Sequence, residues 1–309
     1  MIKANSPGWR FASAIAAACA AFGAAAPAQA ETIIGLTTTN ALVTFDSSTP
    51  TQSGMAMNIT GLVGADERIL GIDMRVTSGK VYGLGSSGNL YTLNAATGAA
   101  TFVAALMADP ADLVNPFSGL SGSSFGIDFN PTVDRLRITS NAGQNLRMNV
   151  DTGLVTTDTN LNGATGSISA SAYSNNDTDP LTATVLYGID GGTDMMYIQN
   201  PPNDGTQVAV GALGVNTSNV AGFDISGRTG MAYAALTDGD TSKSGLYNIN
   251  LATGAATWVG AFGYGGATAF APPLLDVTVS AVPEPETYAL MIAGLLGLGS
   301  LTRRRTAAR

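Results

Sequence analysis

The segment LYTLNAATGAATFV at residues 90–103 returns almost unchanged as LYNINLATGAATWV at residues 246–259. Two diverged copies lie between them, LRMNVDTG at residues 146–153 and MYIQNPPNDG at residues 196–205. In each copy an alternating apolar strand leads into a short turn that ends in glycine, and a second alternating strand follows. The pattern predicts β-hairpins whose turn glycines take the left-handed backbone conformation.

The spacing of these turns indicates a repeat architecture. The turn glycines Gly98, Gly153, Gly205 and Gly254 are 55, 52 and 49 residues apart, and a period near 50 is typical of β-propeller blades. Three hairpins are preceded by another strand pair that opens with Gly-x-Asp, at residues 71–73, 126–128 and 222–224. Four strands per unit match one propeller blade.

The two ends of the repeat region each hold part of a blade. Residues 32–58 supply only the later strands of a unit, and residues 267–271 form a spare strand after the last complete unit. Joined, they make one blade, so the sequence predicts an all-β propeller of five four-stranded blades closed by the C-terminal strand. An open array of repeats is the alternative, but it leaves two sheet faces exposed at its ends.

The N-terminal residues 1–30 are typical of a signal peptide, with a basic start, an alanine-rich apolar run and a small-x-small site. Ala28 and Ala30 occupy the two small positions, which predicts cleavage by signal peptidase after Ala30. A lipoprotein site at Cys19 is less favoured because the usual leucine before it is missing. A membrane-spanning helix is less favoured because Pro27 interrupts a run of mostly alanine, a weak driver of insertion.

The C-terminal residues 282–309 form a separate segment. Residues 288–301, YALMIAGLLGLGSL, carry no charge and are followed by Arg303, Arg304 and Arg305. A helix of this length spans about 21 Å, which is short of the roughly 20 residues of a stable transmembrane helix. The positive-inside tendency places the arginines in the cytoplasm. The segment therefore predicts transient membrane association of an exported chain.

With Val282, Pro283, Glu284 and Pro285 ahead of it, this tail resembles the PEP-CTERM sorting domain. Motif, apolar helix and arginine cluster come in the order of that family, and Glu286 departs from its frequent small residue. The resemblance implies recognition and processing by an exosortase in a Gram-negative species that makes extracellular polysaccharide. A generic tail anchor is the alternative.

The composition of residues 31–281 argues against nucleic-acid binding and against disulfide bonds. This segment has 8 Lys and Arg against 20 Asp and Glu, and the chain has no histidine. Binding of nucleic acid is therefore not expected, because neutralising phosphates requires clustered cations. The one cysteine, Cys19, lies in the predicted signal peptide, so the mature chain forms no disulfide and depends on its core.

The body also resembles a known family through GIDFNPTVDR at residues 126–135, QNLR at 144–147, QNPPNDG at 199–205 and LYNIN at 246–250. These segments are similar to the bacterial domain of unknown function numbered 4394, from about residue 33 to residue 270. The resemblance implies a propeller-like fold and leaves the function open, because the family has no assigned activity to carry over.

Two short motifs match enzyme signatures without the context that those enzymes require. GSSFG at residues 122–126 fits the nucleophile elbow, but the chain offers neither a histidine base nor a helix after it. GLGSSG at residues 83–88 fits a dinucleotide-binding motif, but it joins two predicted strands instead of opening a helix. Both are predicted to be blade turns.

The repeated acids Asp73, Asp128 and Asp224 are the candidate metal ligands. They share one position in the predicted innermost strands, so in a closed propeller they point toward the same axis. Ser174 and Ala269 replace the acid in the other two units, which leaves the ring incomplete. The acids either tie adjacent blades through backbone N–H groups or bind a cation such as calcium, or a polar ligand, at the channel mouth.

Two aspartate-rich loops, at residues 175–179 and 238–244, also offer oxygen ligands, but the second lacks the glycine and distal glutamate of an EF-hand. Turns capped by their own side chains are the favoured interpretation of both.

The leading functional hypothesis is a non-catalytic surface or matrix propeller that binds extracellular polysaccharide or a surface protein. The alternative is a metal-assisted hydrolase or lactonase with an aspartate-lined site in the channel. Carbohydrate binding by aromatic stacking is not favoured, since Trp258 lies in a repeat strand and is expected in the core.

Overall fold

The structure, a computed structural model, describes residues 30–177, 179, 181–263 and 272–280. These residues form 22 strands and two short 3₁₀ helices, Pro50–Gln52 and Pro202–Asp204. In chain order the strands are β1 (Thr32–Thr37), β2 (Ala41–Asp46), β3 (Met57–Asn58), β4 (Ile69–Arg75), β5 (Lys80–Gly85), β6 (Asn89–Leu93), β7 (Ala100–Ala105), β8 (Met107–Ala108), β9 (Phe125–Asn130), β10 (Arg135–Ser140), β11 (Asn145–Met148), β12 (Leu154–Thr157), β13 (Asn162–Gly163), β14 (Ala170–Tyr173), β15 (Leu186–Asp190), β16 (Met195–Gln199), β17 (Thr206–Ala212), β18 (Ala221–Ile225), β19 (Ala232–Thr237), β20 (Ser244–Ile249), β21 (Ala256–Ala261) and β22 (Leu274–Val279).

The strands form five sheets, each of which is one blade. Blade 1 is β4-β5-β6-β7, and blade 4 is β18-β19-β20-β21. Blade 2 is β9-β10-β11-β12 with β8 added at its outer edge, and blade 3 is β14-β15-β16-β17 with β13 added in the same way. Blade 5 combines both ends of the described chain as β22-β1-β2-β3. The predicted five-bladed, all-β propeller is confirmed.

The five innermost strands pack in a closed ring. β22 lies against β18 and β4, β4 against β9, β9 against β14, and β14 against β18. Apolar side chains fill the spaces between blades, as where the rings of Tyr82 in blade 1 and Phe129 in blade 2 meet edge to face at 5.3 Å. The core is therefore shared between neighbouring blades, and each blade depends on the next for its burial.

The position of the closing strand was predicted wrongly. Residues 267–271 lie outside the described residues, and the strand that completes blade 5 is β22. It pairs antiparallel with β1, with Ile33 opposite Val279 and Gly35 opposite Val277. The sequence of β22, LLDVTV, has the β-branched residues of a strand. It lacks the opening glycine, which is why the repeat pattern did not identify it.

The turn glycines have two reasons to be glycine. Gly98, Gly153, Gly205 and Gly254 have φ angles of 73°, 80°, 67° and 81°, the left-handed region that other residues rarely adopt. A Cβ atom at Gly98 would also lie 2.2 Å from the carbonyl oxygen of Asn58 in blade 5. The turn at Gly98 therefore packs directly against the backbone of the preceding blade, in addition to reversing the chain direction.

Residues 1–29 of the predicted signal peptide, among them its small residue Ala28, and the whole sorting tail lie outside the described residues. The part of the chain that the structure does describe contains no helix with the length and hydropathy needed to cross a membrane.

Candidate functional site

The structure brings the three predicted acids together at the centre of the ring. Asp73 on β4, Asp128 on β9 and Asp224 on β18 each offer a carboxylate oxygen, and these oxygens lie within 4.8 Å of one another. Each residue is 1% exposed. Carboxylates from three blades therefore meet in a space closed to bulk water.

Each of these carboxylates also accepts a hydrogen bond from the backbone of the next blade's inner strand. The bonds run from the Phe129 N–H to Asp73 Oδ2 (2.7 Å), from the Tyr173 N–H to Asp128 Oδ1 (3.1 Å) and from the Val279 N–H to Asp224 Oδ2 (2.5 Å). Inner strands of different sheets do not share a hydrogen-bond ladder, so these side chains supply the polar contact between them. This supports the hypothesis that the acids tie adjacent blades.

A fourth acid, Asp276 on β22, was missed by the sequence reasoning. It is 3% exposed, and its Oδ2 accepts from the Ile72 N–H at 2.9 Å. The prediction placed Ala269 at this point because it assigned the closing strand to residues 267–271. The apolar-Asp-apolar pattern of Leu275, Asp276 and Val277 is the signal that could have found it. We call Asp73, Asp128, Asp224 and Asp276 the central acid cluster.

Blade 3 breaks the ring of acids at Ala172. In the other described hairpins the acid is opposite a residue of the second strand, with Asp73 paired to Tyr82, Asp128 to Arg137 and Asp224 to Tyr233. In blade 3 the residue opposite Tyr187 is Ala172. Ser174, which the sequence analysis placed here, comes after the strand, and its hydroxyl accepts from the Val185 N–H of the same blade. The assignment to Ser174 was wrong by two residues.

Burial dominates the electrostatics of the cluster. It raises the pKa of Asp73, Asp128 and Asp276 well above the ordinary aspartate range, and neighbouring carboxylates raise these values further. Burial likewise raises the pKa of Asp224 to about 6. The ion pairs formed by the described residues go to other acids, namely Asp134, Asp151, Asp158 and Glu31.

The opening glycines of the Gly-x-Asp motif let the inner strands approach closely. A Cβ atom at Gly126 would lie 2.4 Å from the backbone nitrogen of Ser171 on β14. One at Gly222 would lie 2.4 Å from Cα of Asp276 on β22. Glycine makes room for the neighbouring strand, and the aspartate two residues later binds it.

A second polar site lies between blades 2 and 3, and it contains three arginines that the sequence analysis did not single out. It is a cavity of about 240 Å³, which we call the arginine pocket. Its lining residues are Asn130, Val133, Arg135, Arg137, Arg147, Tyr173, Pro202 and Asn203.

Arg137 forms the buried floor of the arginine pocket. It is 2% exposed and pairs with Asp158 at 2.6 Å. Its remaining donors bind Asn145 Oδ1 at 2.8 Å, Asn203 Oδ1 at 2.8 Å and the Tyr173 hydroxyl at 3.3 Å. A buried guanidinium needs partners for its donors, and these come from both blades.

The other two arginines are more accessible. Arg147 binds both oxygens of Asp158, at 2.6 and 2.8 Å, and its side chain is 34% exposed. Hydrogen bonding to Asp158 raises the pKa of Arg147 above its ordinary value. The half-buried Arg135 donates only to the backbone carbonyls of Val133 and Asp134, at 3.4 and 3.1 Å. Its guanidinium therefore keeps N–H donors for a ligand.

Amide side chains support this pocket from behind. Asn145 donates to the Pro202 carbonyl at 3.1 Å, and Gln199 donates to the same carbonyl at 2.6 Å. Gln207 in turn donates to Gln199 Oε1 at 2.8 Å. These bonds fix the QNPPND turn of blade 3 against blade 2. The turn therefore has a structural role that the sequence left open.

The remaining candidate motifs have local roles or were misjudged. Asp238 caps its own loop, accepting from the Thr241 N–H at 2.6 Å and the Asp240 N–H at 3.1 Å. Trp258 is not in the core as expected. It is 53% exposed on β21, with its ring 5.1 Å from that of Tyr247.

Comparison with known proteins identifies one family and several structures of similar fold. The sequence profile of the domain of unknown function DUF4394 matches residues 41–271. The comparison with curated proteins gave no match. A structure of a protein of unknown function from Bacteroides thetaiotaomicron is similar with a TM-score of 0.48 and 16% identity, covering 82% of this chain and 68% of that one. A protein from Lactobacillus plantarum is similar with a TM-score of 0.38 and 11% identity, covering 81% of this chain and 99% of that one.

Proposed function

Since the chain belongs to the DUF4394 family of domains of unknown function, we propose its function from its own residues: an exported, non-catalytic propeller that binds an acidic polysaccharide through the arginine pocket. The observation that carries this proposal is the gathering of three guanidinium groups, those of Arg135, Arg137 and Arg147, around one cavity. Their buried counter-charge is a single carboxylate, that of Asp158.

This concentration of positive charge is unusual for the protein in which it occurs. Residues 31–281 contain 8 Lys and Arg against 20 Asp and Glu, so the surroundings repel anions in general. Of the aspartates near the pocket, Asp134 pairs with Arg75 at 2.6 Å. Asp109 lines a smaller adjoining cavity together with Arg135 and Arg147. The three arginines of the pocket nevertheless form a local group of positive charge, which favours a negative ligand.

The chemistry of the lining suits a sugar acid. Guanidinium groups bind carboxylates with two parallel hydrogen bonds, and the amides of Asn130 and Asn203 can bond hydroxyl groups. Val133 and Pro202 offer apolar surface beside them. The cavity of about 240 Å³ is smaller than the roughly 300–1,000 Å³ of pockets for drug-sized ligands. It therefore suits one uronate residue of a longer chain.

Export and sorting belong to the same proposal. The signal peptide ending at Ala30 and the tail that resembles a PEP-CTERM domain support delivery to the cell envelope, with processing by signal peptidase and an exosortase. The resemblance of the tail implies a species that makes extracellular polysaccharide, which supports a polysaccharide as the partner.

The alternative, a metal-assisted hydrolase with its site in the channel, is less well supported. A hydrolytic metal site keeps an open position for water and substrate. All four carboxylates of the central acid cluster are at most 3% exposed, and each accepts a backbone hydrogen bond from a neighbouring blade. A substrate would have to separate the inner strands to reach them.

The test is isothermal titration calorimetry of the purified protein with tetragalacturonate and, for comparison, uncharged maltotetraose. We expect binding of tetragalacturonate alone, weakened by added salt because surface charge attraction is screened. Arg135→Gln should reduce the affinity at least tenfold. Its side chain binds only backbone carbonyls of its own turn, so folding should be unaffected.

Arg68→Gln is the matched control, since it removes the same charge from an exposed site in another blade. Equal loss of affinity in both variants would indicate a non-specific charge effect and contradict the pocket as the site. Binding of maltotetraose with the same affinity would contradict an acidic ligand.

A further inference from the structure

We propose that the centre of the propeller binds a single divalent cation, most favourably Ca²⁺, through Asp73, Asp128 and Asp224. This inference concerns the stability of the ring and does not rest on the polysaccharide proposal. These three acids come from blades 1, 2 and 4, so an ion held by them joins parts of the chain that are far apart in sequence.

The geometry of the three oxygens suits calcium. They lie within 4.8 Å of one another, and one ion between them can make Ca–O bonds of about 2.3–2.6 Å. Calcium takes carboxylate oxygens as ligands and tolerates irregular arrangements, whereas magnesium demands near-octahedral geometry at about 2.0–2.1 Å. Oxygens supplied by rigid inner strands favour the larger and more tolerant ion.

A buried oxygen of Asp128 that has no hydrogen-bond partner also supports a bound cation. Asp128 Oδ2 is buried and has no hydrogen-bond partner, although Oδ1 of the same carboxylate accepts from Tyr173. A buried polar atom without a partner is costly, and an oxygen of an ionised carboxylate only accepts, so it is satisfied by a donor or by a cation. Asp73, Asp224 and Asp276 bind through both oxygens to backbone or hydroxyl donors. The unsatisfied atom therefore belongs to one of the three acids proposed as ligands, and a metal ion at that site would satisfy it.

Charge balance gives a further reason. Carboxylates as close as those of Asp73, Asp128 and Asp224 repel one another when they are ionised. The ion pairs identified among the described residues involve other acids. Buried charges require a partner or a metal, and a divalent cation would supply two positive charges at this point.

The experiment compares the purified protein before and after EDTA treatment. Elemental analysis of the untreated protein should find about one equivalent of calcium, or the stripped protein should bind one equivalent in calorimetry. Adding calcium at a hundredfold excess over its dissociation constant should raise Tm by about 5 °C or more, since a ligand stabilises the state that it binds. Magnesium at the same concentration should have a smaller effect.

Asp128→Asn should weaken calcium binding at least tenfold while keeping the acceptor for the Tyr173 N–H. Asp190→Asn is the matched control. Asp190 is also buried, at 2% exposure, but it binds Thr165 and the Gly192 N–H within blade 3. Asp224→Asn provides a second test if Asp128→Asn does not fold. A wild-type protein with no bound cation and no change of Tm with calcium would overturn the proposal.

Discussion

The central acid cluster and the arginine pocket both contain buried ionisable side chains, but different groups bind these side chains in the two regions. The cluster gathers like charges, and its carboxylates are held mainly by backbone N–H groups of the adjoining strands. The pocket gathers guanidinium groups around Asp158 and leaves Arg135 bound only to backbone carbonyls. One region is closed and joins the blades, and the other is partly open and keeps a charge available.

The two regions also differ in their relation to the repeat. The cluster acids recur at one position of blades 1, 2 and 4, opposite Tyr82, Arg137 and Tyr233 on the second strand. Arg137 replaces a tyrosine in that series, and Ala172 replaces the acid in the adjacent blade. Both departures lie next to the arginine pocket. In a repeat protein the residues that recur in every unit maintain the fold. Residues that depart from the repeat are therefore the better candidates for binding.

Removal of β22 should have the largest effect, because it breaks the ring and both regions with it. A chain that ends at Pro273 loses the ladder between β22 and β1, and also Asp276. Each buried backbone group left without a partner costs about 1–3 kcal/mol, against a total stability of about 5–15 kcal/mol for a domain. We expect loss of the cooperative thermal transition measured by circular dichroism.

A chain that ends after Ser280 is the control and should keep the wild-type transition. A folded protein that lacks β22 would show that the ring does not depend on this strand for closure.

Arg137→Leu tests the buried half of the arginine pocket. It removes one donor each from Asp158, Asn145 and Asn203. Asp158 keeps its two hydrogen bonds from Arg147, so the cost is that of buried acceptors left unsatisfied, about 1–3 kcal/mol. We expect a loss of this size in urea unfolding.

Arg135→Gln, in the accessible half of the pocket, should change the free energy of unfolding by less than about 0.5 kcal/mol. If both substitutions changed the free energy of unfolding equally, the assignment of a structural role to Arg137 and a ligand-binding role to Arg135 would be contradicted.

The central acid cluster can be divided into its hydrogen-bonding and its charge contributions with two substitutions of Asp73. Asp73→Ala leaves the Phe129 N–H and the Thr278 hydroxyl without their acceptor and should cost about 1–3 kcal/mol. Asp73→Asn keeps an acceptor and removes one of the repelling charges. In EDTA it should be at least as stable as the wild type, as measured by urea unfolding. An alanine variant as stable as the asparagine variant would show that the cross-blade bonds contribute nothing.

Much of the fold could be predicted because it depends on local and repeated features. The turn glycines Gly98, Gly153, Gly205 and Gly254 mark the hairpins, and their positive φ angles confirm the reason for their recurrence. The closing strand could not be predicted in the same way. Its residues pair with β1 at the far end of the chain, and no local signal specifies a partner so distant in sequence.

The sites were predictable to the extent that they repeat. Asp73, Asp128 and Asp224 were found from their shared position, while Asp276 was missed with the strand that carries it. The arginine pocket could not be predicted from the sequence, for a different reason. Arg137, Asp158 and Asn203 come from three separate loops or strands of two blades, and only the packing of those blades brings them together.

The smallest expected effect concerns Glu67, a buried carboxylate that belongs to neither region and so serves as their reference. Burial raises the pKa of Glu67, but hydrogen bonds from Tyr91, Gly64, Asn89 and Ser87 outweigh this effect and leave the pKa below its ordinary value. A carboxyl group whose pKa is lower in the folded state stabilises the fold above its unfolded-state pKa. That contribution is lost as the pH falls through the folded-state value. Plots of Tm against pH should therefore fall less steeply below about pH 4.5 for Glu67→Gln than for the wild type.

Tyr91→Phe removes the donor of the shortest bond, 2.5 Å to Glu67 Oε2. It should shift the decline of Tm to a higher pH than in the wild type. Parallel curves for all three proteins would mean that Glu67 does not contribute to acid sensitivity, and that burial in this propeller is not by itself enough to couple a carboxylate to stability.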